Sequence, residues 1–287
     1  MSYVDELAGE LRRVGIRGRI ERRILAEIAD HLASDPAAAL GPPDELARGF
    51  ADELGTSRSR RAAFAAFGAL TLAGVAYTIA FVAISVANVR IPLLDARSRP
   101  IADLAFATAV GAPQLAFVAG VLAALRAFRR RRDASLPAAE ARVLVRRTGT
   151  ALGAGLATMA AVAVVAYEYA PHLSAWLQST CYACAAIGGA ALLAAAPAAV
   201  AATRVHVTAS GEPTDVFADL GPLVPLQLRG RPWTFAAAVA AIVCVTITAA
   251  GILQSDPFDG AMRGVLDAVA VLAGFAVLGR FLGLRRR

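Results

Sequence analysis

AAFAAFGALTLAGVAYTIAFVAISVA, residues 62–87, decides the fold class. The stretch contains no charged side chain. As an α-helix it would be about 39 Å long, enough to cross roughly 30 Å of bilayer hydrocarbon. Working outward, five more stretches read the same way: 103–125, 148–170, 178–203, 233–253 and 262–282. Polar breaks separate them, among them Arg97-Ser98-Arg99-Pro100, the run from Arg129 to Asp133, and Ser255-Asp256-Pro257. The expected fold is all-α, a six-helix transmembrane bundle over 58–287 that follows a small polar segment, 1–57.

Composition agrees. The 287 residues are 57% hydrophobic and 18% charged, with a mean hydropathy of +0.58, where a soluble domain carries about 25% charged residues. That balance excludes a purely soluble enzyme and a disordered tail. The formal charge is +7, and every basic residue apart from histidine is arginine. Residues 1–57 hold 7 Arg against 11 acids, whereas 58–287 hold 22 Arg against 11 acids. The polar segment therefore repels phosphate, so no direct nucleic-acid partner is expected. The excess positive charge belongs beside the lipid bilayer.

Arginine placement sets the expected orientation, because basic flanks are retained on the cytoplasmic side. With the N-terminus inside, 18 arginines of the membrane part fall on the cytoplasmic side, and only Arg90, Arg97, Arg99 and Arg263 fall outside. Residues 1–10 are polar and acidic and carry no signal-peptide pattern. Six spans then place both termini in the cytoplasm. Tyr167, Tyr169, Trp176 and Tyr182 are expected to form an aromatic belt at the outer interface. Glycines such as Gly153 and Gly188 suit close helix packing. A nucleotide-binding turn at Gly153-Ala154-Gly155 is rejected, because such a turn follows a strand.

The polar segment reads as three short helices, 3–14, 17–34 and 43–54, with Gly15, Asp35-Pro36 and Gly55 as breaks. Ile20, Ile24, Ile28 and Leu32 recur every four residues in the second, and Leu46, Phe50 and Leu54 in the third. So small a module has a marginal core, and Ile24, Ile28, Leu32, Leu46, Phe50 and Leu54 are the candidate partner-binding surface. Glu27-Ile28-Ala29-Asp30-His31-Leu32, then a Pro- and Gly-containing loop, Glu45-Leu46-Ala47 and Glu53-Leu54-Gly55 resemble the HAAS-type domain that precedes multi-pass membrane segments in bacterial proteins. The resemblance covers about 5–57. It implies a signalling or regulatory membrane protein whose cytoplasmic head meets a regulator of the PadR type, and it carries over no catalytic residue.

Ionisable side chains inside a bilayer are costly and mark candidate sites. Asp267 lies just inside the sixth stretch, with Arg263 one turn earlier as an intrahelical partner. Glu168 falls near the outer end of the third stretch. Gln114 follows Pro113, whose missing N–H frees a carbonyl, so the bend there lines either a polar cavity or an interhelical hydrogen bond. These residues define the alternative function, a small transporter or transporter subunit with a polar path.

Cys181 and Cys184 have redox spacing but sit in an apolar run, where small packing residues are the expected role. Glu27, His31 and Asp35 share a helical face, yet a single histidine makes a poor zinc site. The chain has no lysine for a phosphate loop, no metalloprotease histidine pair and no Gly-x-Ser-x-Gly. Neither enzyme, cofactor nor metal is expected.

Overall fold

The computed structural model describes residues 2–35, 40–87, 100–205, 207–211 and 232–254, with isolated positions between 261 and 272. The elements are α1 (Tyr3–Arg13), α2 (Arg19–Ser34), α3 (Pro43–Val86), α4 (Pro100–Arg129), α5 (Ala138–Glu168), a 3₁₀ turn (Ala170–His172), α6 (Ala175–Thr203) and α7 (Pro232–Gln254). Among the described residues there is no strand, so the chain is all-α. Four helices, α3 to α6, are long and apolar enough to cross a membrane. The stretch 233–253 coincides with α7. Most of 262–282, including Asp267 and Arg263, lies outside the described residues. The chain divides into two compact units, Met1–Pro213 and Thr214–Arg287, and α7 belongs to the second.

In the first unit the polar segment closes a core of its own. Ser2 caps α1 reciprocally: Asp5 N–H donates to Ser2 Oγ at 3.3 Å, and Ser2 N–H donates to the Asp5 carboxylate at 3.1 Å. The far end of α1 stops because Gly15 takes φ 89°. There Ile16 N–H donates to Leu11 O at 2.8 Å and Gly15 N–H to Arg12 O at 3.2 Å, a Schellman end that turns Ile16 inward. Glu21, only 7% exposed, ties α2 back to α1 through Arg12 at 2.7 Å and accepts from Gly18 N–H at 3.2 Å. Leu7, Leu11, Ile16, Ile24, Ala47 and Ala51 form the core, and Val205, from beyond α6, is buried with them.

The third expected helix does not end at Leu54. α3 runs unbroken from Pro43 to Val86, through Gly55. One helical glycine costs about 1 kcal/mol relative to alanine, too little to break a helix whose two sides both pack. Gly55 is instead a point of close approach, where a β-carbon would collide with Val207 Cγ2. The 44-residue helix is about 66 Å long, roughly twice the hydrocarbon thickness. Its first turns therefore belong to the head and its last to the spans.

α4 to α6 follow in alternating directions, since the α4–α5 corner and the exit of α6 both return to the head end of α3. Small residues let the helices approach: a β-carbon at Gly155 would sit 3.0 Å from Leu192 and 3.1 Å from Leu70. Pro113 lies inside α4 and cannot donate to Ala109 O, one turn earlier. Tyr77 of α3 supplies the missing donor, its hydroxyl reaching Ala109 O at 3.0 Å. This bond joins α3 to α4 beside Pro113 and does not involve Gln114. Tyr169 is buried against Ala102, Ala105 and Val165 instead of joining a belt, whereas Tyr167 and Trp176 are exposed.

Candidate functional site: the corner between head and bundle

Three chain segments meet toward the head end of α3. The first is α3 itself, which presents Asp52, Thr56 and Arg60 at four-residue spacing, one above another on the helix. The second is the segment leaving α6. Asp52 Oδ1 accepts from Thr208 N–H at 2.6 Å, Ala209 N–H at 3.2 Å and Thr208 Oγ1 at 3.2 Å. The third is the α4–α5 corner. Leu136 N–H donates to Thr56 Oγ1 at 2.8 Å in a buried position, and Arg60 donates to Asp133 O at 2.6 Å. Ala138 N–H donates to Ala209 O at 2.9 Å, joining the second segment to the third. The head is thus held to the bundle both through a continuous helix and through side contacts from two other spans.

The corner also buries charge. Arg126 and Glu140 are 1% exposed and Arg147 is fully buried. Arg147 Nη1 reaches Leu122 O at 3.4 Å, near the C-terminal end of α4, where the helix dipole favours cations. Glu140 lies in the first turn of α5, where the dipole favours anions, and accepts from Arg130 at 3.3 Å. Arg130 also pairs with Asp133 at 3.0 Å. Removing one partner from such a network is far more costly than the network is stabilising, because the remaining charge stays desolvated. It therefore fixes one geometry for the corner. Asp52, Thr56, Arg60, Arg126, Glu140 and Arg147 were not singled out from the sequence. Glu140 carried a signal, being the one acid between Asp133 and Glu168 in an arginine-rich stretch.

The residues expected from the sequence are dispersed. Ile24 is buried in the head core, and Ile28, Leu46, Phe50 and Leu54 pack half-buried against it; Leu32 is half-buried near the end of α2. Gln114 is exposed on α4, and Glu168 is half-buried at the far end of α5. The structure does not bring these two together with the corner. Cys181 and Cys184 are not bonded to each other and are buried in a core cluster with Ala76, Ala80, Val162 and Leu177. His31 is exposed, and among the described residues no group of three or more His, Cys, Asp or Glu could hold a metal ion.

Among the apolar turns of the long helices a crevice of about 670 Å³ opens between α3 and α4 over α5, lined by Phe67, Leu70, Ile79, Phe117 and Met159 among others. Its Thr71, Thr78 and Thr158 hydroxyls each bond a carbonyl of their own helix. The walls therefore present an apolar surface. No protein family, curated protein or solved structure matches the chain.

Proposed function

We propose that the chain is a regulatory or sensory protein of the bacterial inner membrane, with six spans and a cytoplasmic three-helix head that binds a cytosolic partner. In this proposal both termini are cytoplasmic and the protein is not an enzyme. The observation that carries it is the triple attachment of the head: α3 is continuous from head to span, Asp52 holds the exit of α6, and Thr56 holds the α4–α5 corner. A shift of α4, α5 or α6 against α3 must strain one of these attachments, and the adjoining head core includes Val205 from the same exit. Signalling would consist of two packings of the spans that differ in how tightly the head is braced; an input acts by favouring one of them. The resemblance of Glu27 to Leu32 and of Glu53-Leu54-Gly55 to HAAS-type domains supports a PadR-type transcriptional regulator as the partner. Gln114 and Glu168 stand on α4 and at the far end of α5, and Asp267, the third residue of the transporter alternative, lies outside the described residues.

The test uses the full chain in its host membrane, with a photo-crosslinking residue placed in turn at the exposed α2 positions 22, 27 and 30. The expected result is one cytosolic adduct, a transcriptional regulator, whose yield changes when Asp52 is replaced by Ala. Absence of any cytosolic adduct at all three positions, with the protein correctly inserted, refutes the proposal.

A further inference from the structure

The α4–α5 corner carries a strong excess of positive charge. Between Arg129 and Arg147 the sequence holds seven arginines against two carboxylates, Asp133 and Glu140. Arg130 pairs with both, at 3.0 and 3.3 Å. Arg129, Arg131, Arg132, Arg142 and Arg146 are exposed. They stand at the C-terminal end of α4 and in the first turns of α5, where both helices leave their apolar stretches. Phe128 is 52% exposed beside them and carries the Arg131 guanidinium 4.4 Å from its ring centre. An apolar ring next to several guanidinium groups at the end of a span matches the boundary between acyl chains and phosphates. Guanidinium groups bind phosphate with paired, directional hydrogen bonds.

We propose that Arg129, Arg131, Arg132, Arg142 and Arg146 form a binding site for the phosphate groups of anionic phospholipids, and that occupancy braces the head. The coupling follows from the corner's own bonds. Leu136 and Asp133 lie within the loop that these arginines flank, and both are bonded to α3, through Thr56 and Arg60. Lipid phosphates that hold the loop at the membrane surface hold those two contacts in register. This deepens the regulatory proposal by naming its input as membrane surface charge, and its head-bracing part rests on that proposal. The lipid site itself does not.

The experiment titrates the full chain, purified in a non-ionic detergent, with phosphatidylglycerol or phosphatidylcholine. It reads bound lipid by native mass spectrometry and exchange of the Leu136 amide by hydrogen–deuterium exchange. A basic side chain near an anionic surface contributes about 1 kcal/mol, or about fivefold in affinity. Arg131→Gln, Arg132→Gln and Arg142→Gln together are therefore expected to weaken phosphatidylglycerol binding by about a hundredfold. The charge-matched head variant Arg17→Gln, Arg19→Gln and Arg22→Gln should bind as the unaltered chain does. A variant with lysine at the three corner positions keeps the charge but not the paired guanidinium bonds, and should bind more tightly than the glutamine variant and more weakly than the unaltered chain, which separates loss of charge from loss of fold.

Saturating phosphatidylglycerol should slow Leu136 exchange about tenfold, and phosphatidylcholine should leave it unchanged. Equal binding of the two lipids, or equal losses in corner and head variants, overturns the site. Competition by millimolar inorganic phosphate overturns the lipid assignment in favour of a soluble anion. Selective lipid binding with unchanged Leu136 exchange keeps the site but overturns the bracing, and with it the proposed input, without touching the partner test above.

Discussion

Replacing Tyr77 with Phe removes one oxygen atom at a place where a proline has already removed a donor. Ala109 O would normally receive the amide of residue 113, but Pro113 has none, and the Tyr77 hydroxyl at 3.0 Å takes its place. A buried carbonyl left unpaired in a soluble core costs about 1–3 kcal/mol. Interhelical hydrogen bonds measured within membranes average only about 0.6 kcal/mol, with a maximum near 1.7. Because this bond is only partly buried, the membrane figure governs, and Tyr77→Phe should destabilise the chain by about 1 kcal/mol, about fivefold in the unfolding constant. Pro113→Ala returns the backbone donor. In that background Tyr77→Phe should cost little, since Ala109 O is satisfied within α4. The assay is reversible unfolding of the full chain in bicelles for all four members of the cycle. Equal costs of Tyr77→Phe in the two backgrounds, within about 0.3 kcal/mol, would refute the argument that the hydroxyl serves the proline's orphaned carbonyl.

Asp52→Ala should speed exchange of the Thr208 and Ala209 amides by about 30-fold while leaving α5 and α6 protected, because it deletes the acceptor of both N–H groups; Asp52→Asn, which keeps an oxygen but not the charge, should fall between. Leu11→Ala, at a fully buried position of the head core, should cost about 2–5 kcal/mol and appear as melting of α1 and α2 in a proteolysis assay, with the spans intact. Gly155→Val should cost about 1–3 kcal/mol, since even a β-carbon there stands 3.0–3.1 Å from Leu192 and Leu70; a thermal shift equal to that of Gly153→Val, where space is open, would contradict the packing.

The α1 cap has a defined pH dependence. The Ser2 side chain, and then its backbone N–H, hold the Asp5 carboxyl below the ordinary carboxylate range. The depressed value means that the cap's contribution is present above the unfolded carboxylate's titration and is lost as pH falls through the lowered folded value. Ser2→Ala should move Asp5 back up, measured by NMR titration.

The helices themselves were legible in the sequence. Apolar runs of 20 or more residues permit little except membrane helices, and the expected 148–170 and 178–203 match the ends of α5 and α6 to within three residues everywhere but at the start of α5. That start was missed because the ten residues from Ala138 to Arg147, four of them charged, continue the helix beyond the apolar window. Gly15 was correctly placed as a break, because the local hydrogen bonds of a Schellman end need no distant partner. Gly55 was not a break, for the opposite reason: whether glycine ends a helix or admits a neighbour depends on what packs there, and Val207 lies 152 positions further along the chain.

By itself, then, the sequence determined the all-α class, the membrane-crossing lengths and the arginine-rich side, because chain length, hydropathy and charge act locally along the chain. Only the tertiary structure decided that one helix joins head and span, that Tyr77 completes a proline's hydrogen bonding, and that Arg126, Glu140 and Arg147 are buried at the junction. Each of these depends on segments remote in sequence meeting at one point, and no local pattern records which donor will face which acceptor.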